Sequence, residues 1–123
     1  ILTSNLSDPT GYGRILRNPD GSVDRIVEHR DASEEEQRVK EINSGIYVFE
    51  KEKLFDGLKH ITPNNSQNEY YLTDVFGYFW QHQWTVSALV ADDEHEIHGI
   101  NTFEQLDRTR GILKSRLVNS TKV

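Results

Sequence analysis

Glu41-Ile42-Asn43-Ser44-Gly45-Ile46-Tyr47-Val48-Phe49 is the stretch in which polar and apolar demands meet most sharply. Ile46, Val48 and Phe49 are β-branched or aromatic and suit a sheet interior, so 41–49 reads as a strand. Asn43, Ser44 and Gly45 set an amide, a hydroxyl and a bare backbone at its mouth. Without a Cβ, Gly45 lets the main chain approach a bound group, and the Asn43 amide both donates and accepts. Asn-Ser-Gly is also ordinary turn chemistry, so the neighbouring segments decide between a turn and a binding edge.

On the N-terminal side, 1–6 reads as the end of a strand, and Asp8-Pro9-Thr10-Gly11 as a turn. Asn18-Pro19-Asp20-Gly21 is a strong turn signal, so 13–17 and 22–28 are expected to pair as an antiparallel hairpin. Ser33 followed by Glu34, Glu35 and Glu36 predicts a short helix with Ser33 as N-cap and Glu36 completing a capping box. On the C-terminal side, Leu54, Phe55, Leu58 and Ile61 predict a helix over 51–60, stopped at Thr62-Pro63. Leu72, Val75, Phe76 and Phe79 predict another over 71–82. A strand over 84–91 and a last helix over 103–118 follow, the helix placing Leu106, Ile112, Leu113 and Leu117 to cover an apolar neighbour. Strands alternating with helices favour an α/β sheet.

The 123 residues suffice for one core and not for two. With 35 % hydrophobic and 28 % charged residues and a mean hydropathy of −0.69, the chain reads as a folded, polar-surfaced unit or a piece of a larger domain. Ile1 at the start and the absence of methionine are read as signs that something upstream is missing. A net charge of −6 without clustered Lys or Arg argues against nucleic acid or an anionic membrane as a partner. No apolar run approaches a membrane span of about 20 residues. The lack of cysteine removes thiolate and disulfide chemistry and is compatible with a cytoplasmic setting. His60, His82, His95 and His98 lack the paired spacing of a zinc site and read as surface residues.

Five short constellations combine carboxylate, amide, hydroxyl and bare backbone at strand ends, the set a polyhydroxylated sugar requires. They are Asp8-Pro9-Thr10-Gly11-Tyr12-Gly13-Arg14-Ile15, Ile26-Val27-Glu28-His29-Arg30-Asp31-Ala32-Ser33, Glu41-Ile42-Asn43-Ser44-Gly45, Glu69-Tyr70-Tyr71-Leu72-Thr73-Asp74 and Gly99-Ile100-Asn101. Singly each has a plain structural reading: Gly13 starts a strand, Glu28 is a solvated strand end, Thr73 or Asp74 caps a helix, Asn101 caps the last one. In this order and spacing they resemble the second half of the N-acetylglucosamine-1-phosphate uridylyltransferase domain, within the sugar-nucleotidyltransferases, over almost the whole chain.

That resemblance implies a fragment, 1–123, forming the C-terminal, sugar-binding half of a mixed, mainly parallel-sheet, Rossmann-like nucleotide-diphospho-sugar transferase domain. It implies that Gly13, Glu28 and Asn43 hold sugar hydroxyls or the acetamido group, and that Glu69, Tyr71 and Thr73 shape the N-acetyl side. Asn101 matches a Mg²⁺ ligand that works with an aspartate outside this chain, where the nucleotide loop also lies. No residue is assigned as a catalytic acid, base or nucleophile. The implied reaction joins UTP and N-acetylglucosamine 1-phosphate into UDP-N-acetylglucosamine, a cell-wall precursor, with the fragment alone inactive. Ser44 stands where threonine is usual, and Asn68 where glycine is common. His29 after Glu28 fits the uridylyl rather than the thymidylyl pattern. Full-length relatives form trimers, which leaves homo-oligomerisation and a domain after the helix 103–118 open. A transferase for another sugar and a non-catalytic binding or assembly module are the alternatives.

Overall fold

The computed structural model describes residues 1–100 and 102–120. Its strands are β1 (Leu2–Asn5), β2 (Arg14–Arg17), β3 (Val23–Val27), β4 (Glu41–Asn43) and β5 (Leu89–Val90). Its helices are α1 (Glu34–Gln37), α2 (Lys51–Gly57), α3 (Asp74–Gln81) and α4 (Phe103–Ser120). The strands form one sheet in the order β3-β2-β4-β1-β5. The α/β class, the hairpin and the flanking helices are as expected. The mainly parallel pairing expected of the whole domain is not the pattern here: β2 pairs antiparallel with β3 and β4, β1 antiparallel with β4, and β1 with β5 alone is parallel. A tight turn can join only antiparallel neighbours, whereas a parallel neighbour needs a long crossover.

The β2–β3 turn follows from its residues. Gly21 takes φ +86°, open to glycine at no steric cost, its amide donates to the Asn18 carbonyl at 2.9 Å, and Asp20 accepts from the Ser22 amide at 2.9 Å. The capping box of α1 forms as the sequence predicts. The Ser33 hydroxyl accepts from the Glu36 amide at 3.3 Å, and the Glu36 carboxylate accepts from the Ser33 amide at 2.8 Å.

The central stretch departs from expectation after three residues. β4 ends at Asn43, and Gly45 turns the chain at φ +79°. Ser44 binds the Leu2 carbonyl through its hydroxyl at 2.7 Å, and the Leu2 amide donates to Ile46 at 3.0 Å. The segment therefore stays beside β1 without continuing the ladder. Because side chains alternate with period two, a turn inserted here exchanges inside for outside. Val48 is 95 % exposed and Ile46 is exposed too, contrary to their expected burial. Tyr47 and Phe49 point inward and meet the Phe76 ring at 5.5 and 5.6 Å.

Helices α2 and α3 are shorter than 51–60 and 71–82. The expected strand 84–91 contracts to β5, because Trp84 is used in packing: its amide donates to the Phe79 carbonyl at 2.9 Å and its ring meets Phe79 at 5.5 Å. Along α4, Leu113 and Leu117 are exposed, so the described residues do not supply the apolar neighbour expected there. No helix among the described residues is long and apolar enough to cross a membrane.

Two apolar clusters hold the sheet. Leu6, Ile42 and Ile97 form one; Val75, Phe76 and Phe79 of α3, with Ile26, Tyr47, Phe49 and Trp84, form the other. Leu89 and Val90 remain exposed on the edge strand. Phe76 joins Tyr47, Phe49, Phe79 and Trp80 through ring contacts. Phe76→Ala is expected to cost about 3–5 kcal/mol, read as a lower urea midpoint; a loss below about 1 kcal/mol would show that this cluster does not carry the core.

Candidate functional site

Four separate segments bring polar groups to one face of the sheet. Gly13 leads into β2 and Asn43 ends β4, and the Asn43 amide donates to the Gly13 carbonyl at 2.9 Å. Glu28 follows β3 and lies directly over Gly13: a Cβ placed there would stand 3.3 and 3.4 Å from the two carboxylate oxygens. The Thr73 hydroxyl, just before α3, donates to Glu28 Oε1 at 3.2 Å. Thr73 makes no side-chain cap bond to α3; its hydroxyl serves Glu28 instead. Glu28, Asn43 and Thr73 are half-buried and Gly13 is buried.

The Asn43 side chain is oriented by its surroundings. Its Oδ1 accepts from the Gly45 amide at 3.2 Å and from the Tyr47 hydroxyl at 2.8 Å. An amide nitrogen could not accept from the Gly45 N–H, so the carbonyl end must face inward. Asn43 then offers a ligand donors through Nδ2, and Glu28 offers acceptors. Tyr47 was not among the residues expected in the site; its reading as a sheet residue hid a hydroxyl that reaches four positions back. Burial holds that hydroxyl above the ordinary phenol range; the bond to Asn43 opposes the shift, and the charge of Glu28 adds to it.

Beside this cluster lies a cavity of about 240 Å³ lined by Ile26, Val27, Glu28, Asp31, Asn64, Asn65, Tyr71, Thr73 and Asp74. Its wall is fastened to the turn after Glu28: the Ser66 amide donates to the Asp31 carboxylate at 3.2 Å, and Gln67 donates to the Tyr71 hydroxyl at 2.6 Å and accepts from Arg30. Desolvation, then the charge of Asp31, raises the Asp74 carboxyl above the usual range. Asn68 adopts φ +55°, a left-handed conformation that glycine takes freely and asparagine tolerates.

The expected site residues therefore separate into groups. Gly13, Glu28, Asn43 and Thr73 converge, and Tyr71 lines the adjoining cavity. Glu69 is exposed, with its backbone engaged by Asn65: its amide donates to Oδ1 at 3.2 Å and its carbonyl accepts from Nδ2 at 2.5 Å. The structure does not join it to the Glu28 cluster. Asn101 lies outside the described residues. Close before it, the Gly99 amide donates to the Tyr12 hydroxyl at 3.3 Å, which ties that loop to the residue preceding Gly13. Among the described residues no group of three or more His, Cys, Asp or Glu could hold a metal ion.

Against known proteins, no family model matches the chain. A protein named bifunctional protein GlmU from Streptococcus equi subsp. zooepidemicus is 49 % identical over 117 residues, covering 95 % of this chain and 25 % of the relative. The chain is similar to part of the GlmU proteins. The GlmU of Streptococcus pyogenes is 46 % identical over all 123 residues, or 30 % of its own length, and that of Limosilactobacillus fermentum 49 % over 117 residues, or 26 %. The chain thus spans between a quarter and three tenths of the GlmU relatives it matches. The match to the Streptococcus pyogenes protein runs over the whole chain and so takes in every segment that builds the cluster.

Tyr47→Phe removes a half-buried hydrogen bond and is expected to cost about 0.5–1.5 kcal/mol at neutral pH. Because the folded pKa of Tyr47 is raised, the stability it contributes is complete below the unfolded value of about 10 and is lost as pH rises through the folded one. The gap between wild type and Tyr47→Phe should therefore narrow above pH ~10 in urea titrations; a gap constant to high alkalinity would contradict the buried phenol.

Proposed function

We propose that this chain is the sugar-holding part of a sugar-1-phosphate nucleotidyltransferase that works in the cytoplasm, and that its guest is N-acetylglucosamine 1-phosphate. UTP is the co-substrate; UDP-N-acetylglucosamine and pyrophosphate are the products. The observation that carries the reading is the apposition of the Glu28 carboxylate to the bare backbone of Gly13, with Thr73 and Asn43 beside it and a cavity adjoining. Identity of 46–49 % to part of the GlmU proteins supports the same reading.

A carboxylate that accepts and an amide that donates discriminate between ring hydroxyls and an acetamido carbonyl. Gly13 lets the ring lie close to the main chain. In the transfer, a phosphate oxygen of the sugar 1-phosphate forms a bond to the α-phosphorus of UTP as the bond from that phosphorus to the leaving pyrophosphate breaks. No described residue needs to act as nucleophile, acid or base. The contribution of these side chains is to hold the sugar so that its phosphate is aimed, which is how such reactions gain most of their rate.

Magnesium, when bound, would neutralise charge on the converging phosphate oxygens. Asn101 would supply one ligand, and the described residues do not by themselves form a magnesium centre, so the sugar-side role of Glu28 is argued without it. Assembly into homotrimers belongs to the same reading.

In the protein that carries this chain, Glu28→Gln is expected to lower kcat/KM for the sugar 1-phosphate by about 10- to 150-fold, the worth of one charged hydrogen bond. The KM for UTP should stay within about twofold. Pyrophosphate release measured with each substrate varied in turn separates the two. Equal losses for both substrates would count against a sugar-side site, and a wild-type protein without turnover but with sugar binding would favour a binding module.

A further inference from the structure

Arg14 occupies an expensive position. It is 1 % exposed, it forms no ion pair with a carboxylate among the described residues, and its Nε has no hydrogen-bond partner. Burial lowers its pKa, and the charge of Asp8 opposes the shift. A buried cation without an anion is destabilising unless hydrogen bonds compensate for the lost water.

Those bonds have a pattern. Nη1 donates to the carbonyl of Tyr12. Nη2 lies 3.3 Å from the His29 Nδ1 and donates to the carbonyl of Gln37 at 3.3 Å. A guanidinium can only donate, so His29 accepts through Nδ1 and carries its proton on Nε2. Tyr12 precedes Gly13 and His29 follows Glu28. The guanidinium therefore connects the residue beside Gly13 with the residue beside Glu28. Gln37 extends the connection, donating to the carbonyls of His29 at 3.3 Å and Ala32 at 3.1 Å. The amides of Asp31 and Ala32 close the turn on the Glu28 carbonyl at 3.0 Å each.

The connection is made from behind. Arg14 is the register partner of Ile42, and side chains alternate between faces along a strand. Gly13 and Asn43, one residue away on each strand, belong to the opposite face. With no more than 3.3 Å between the Glu28 carboxylate and a Cβ at position 13, a small change in the spacing of these two segments alters where the carboxylate stands.

We infer that Arg14, bound to Tyr12, His29 and Gln37, is a positioning residue that sets the distance between Gly13 and the Glu28 carboxylate, and through it the affinity for the sugar 1-phosphate. The inference rests on the sugar-side reading given above. Arg14→Lys keeps the charge without the fork that reaches two segments, and Arg14→Met keeps an apolar stem alone. In the intact protein both should raise the KM for N-acetylglucosamine 1-phosphate about tenfold, with kcat changed less than about threefold and the KM for UTP unchanged. Amide exchange at Asp31 and Ala32 should quicken at least about tenfold while Ile15 and Ile42 stay protected. His29→Leu, which removes one acceptor and leaves Arg14, should give the same pattern more weakly and serves if an Arg14 variant fails to fold. With an active wild type, a sugar-phosphate KM within about twofold in the Arg14 variants, or a rise matched by equal loss of protection throughout the core, overturns the inference alone. A wild type that neither binds nor turns over the sugar phosphate overturns the functional reading and the inference with it.

Discussion

A missing Cβ at position 13 is the constraint on which the site depends. Glu28 lies close against β2 where Gly13 presents bare backbone; a Cβ there would stand 3.3 Å from the carboxylate, tight enough that the carboxylate would have to shift by a few tenths of an ångström. From that contact the rest follows outward. Thr73 reaches Glu28 from the start of α3, so helix and sheet are joined at the same point, and Tyr47 joins Asn43 to the aromatic cluster beneath. The site is thus built into the packing of α3 on the sheet, and its polar groups are held by half-buried partners. Arg14 and its acceptors brace the same two segments from the opposite face.

Much of the fold was legible because local chemistry and tertiary demand agree. The turn at Asn18-Pro19-Asp20-Gly21 and the capping box from Ser33 to Glu36 are fixed by residues within a few positions of each other, and no distant contact competes with them. The stretch from Asn43 to Phe49 was harder. Its apolar residues suit a strand, but Ser44 bonds sideways to Leu2 and Gly45 turns the chain, and the choice between strand and turn lies in β1, about forty residues away. The same holds for 84–91, where Trp84 and Val86 pack against α3 before a ladder can form. A strand propensity does not disclose which neighbour will claim a side chain.

The site was legible by residue type more than by geometry. Glycine, glutamate, asparagine and threonine are the residue types that a sugar site would use, and three of the expected residues, Gly13, Asn43 and Thr73, lie around a fourth, Glu28. Tyr47 and Arg14 were hidden for the opposite reason: an aromatic in an apolar run and a basic residue in a strand both have bland readings, and only the fold shows a phenol bonded to Asn43 and a guanidinium sealed from water. Glu69 illustrates the limit in the other direction. Its carboxylate has the right chemistry, yet the loop turns at Asn68 and engages its backbone instead.

The most direct measurement is a crystal structure of the protein carrying this chain, grown with N-acetylglucosamine 1-phosphate. The sugar should lie over Gly13, with ring or acetamido oxygens within about 3.2 Å of the Glu28 carboxylate and of Asn43 Nδ2, and with the Asn43 carbonyl end still turned to Tyr47. Density for the sugar away from β2, with Glu28 touching only Thr73, would contradict the account.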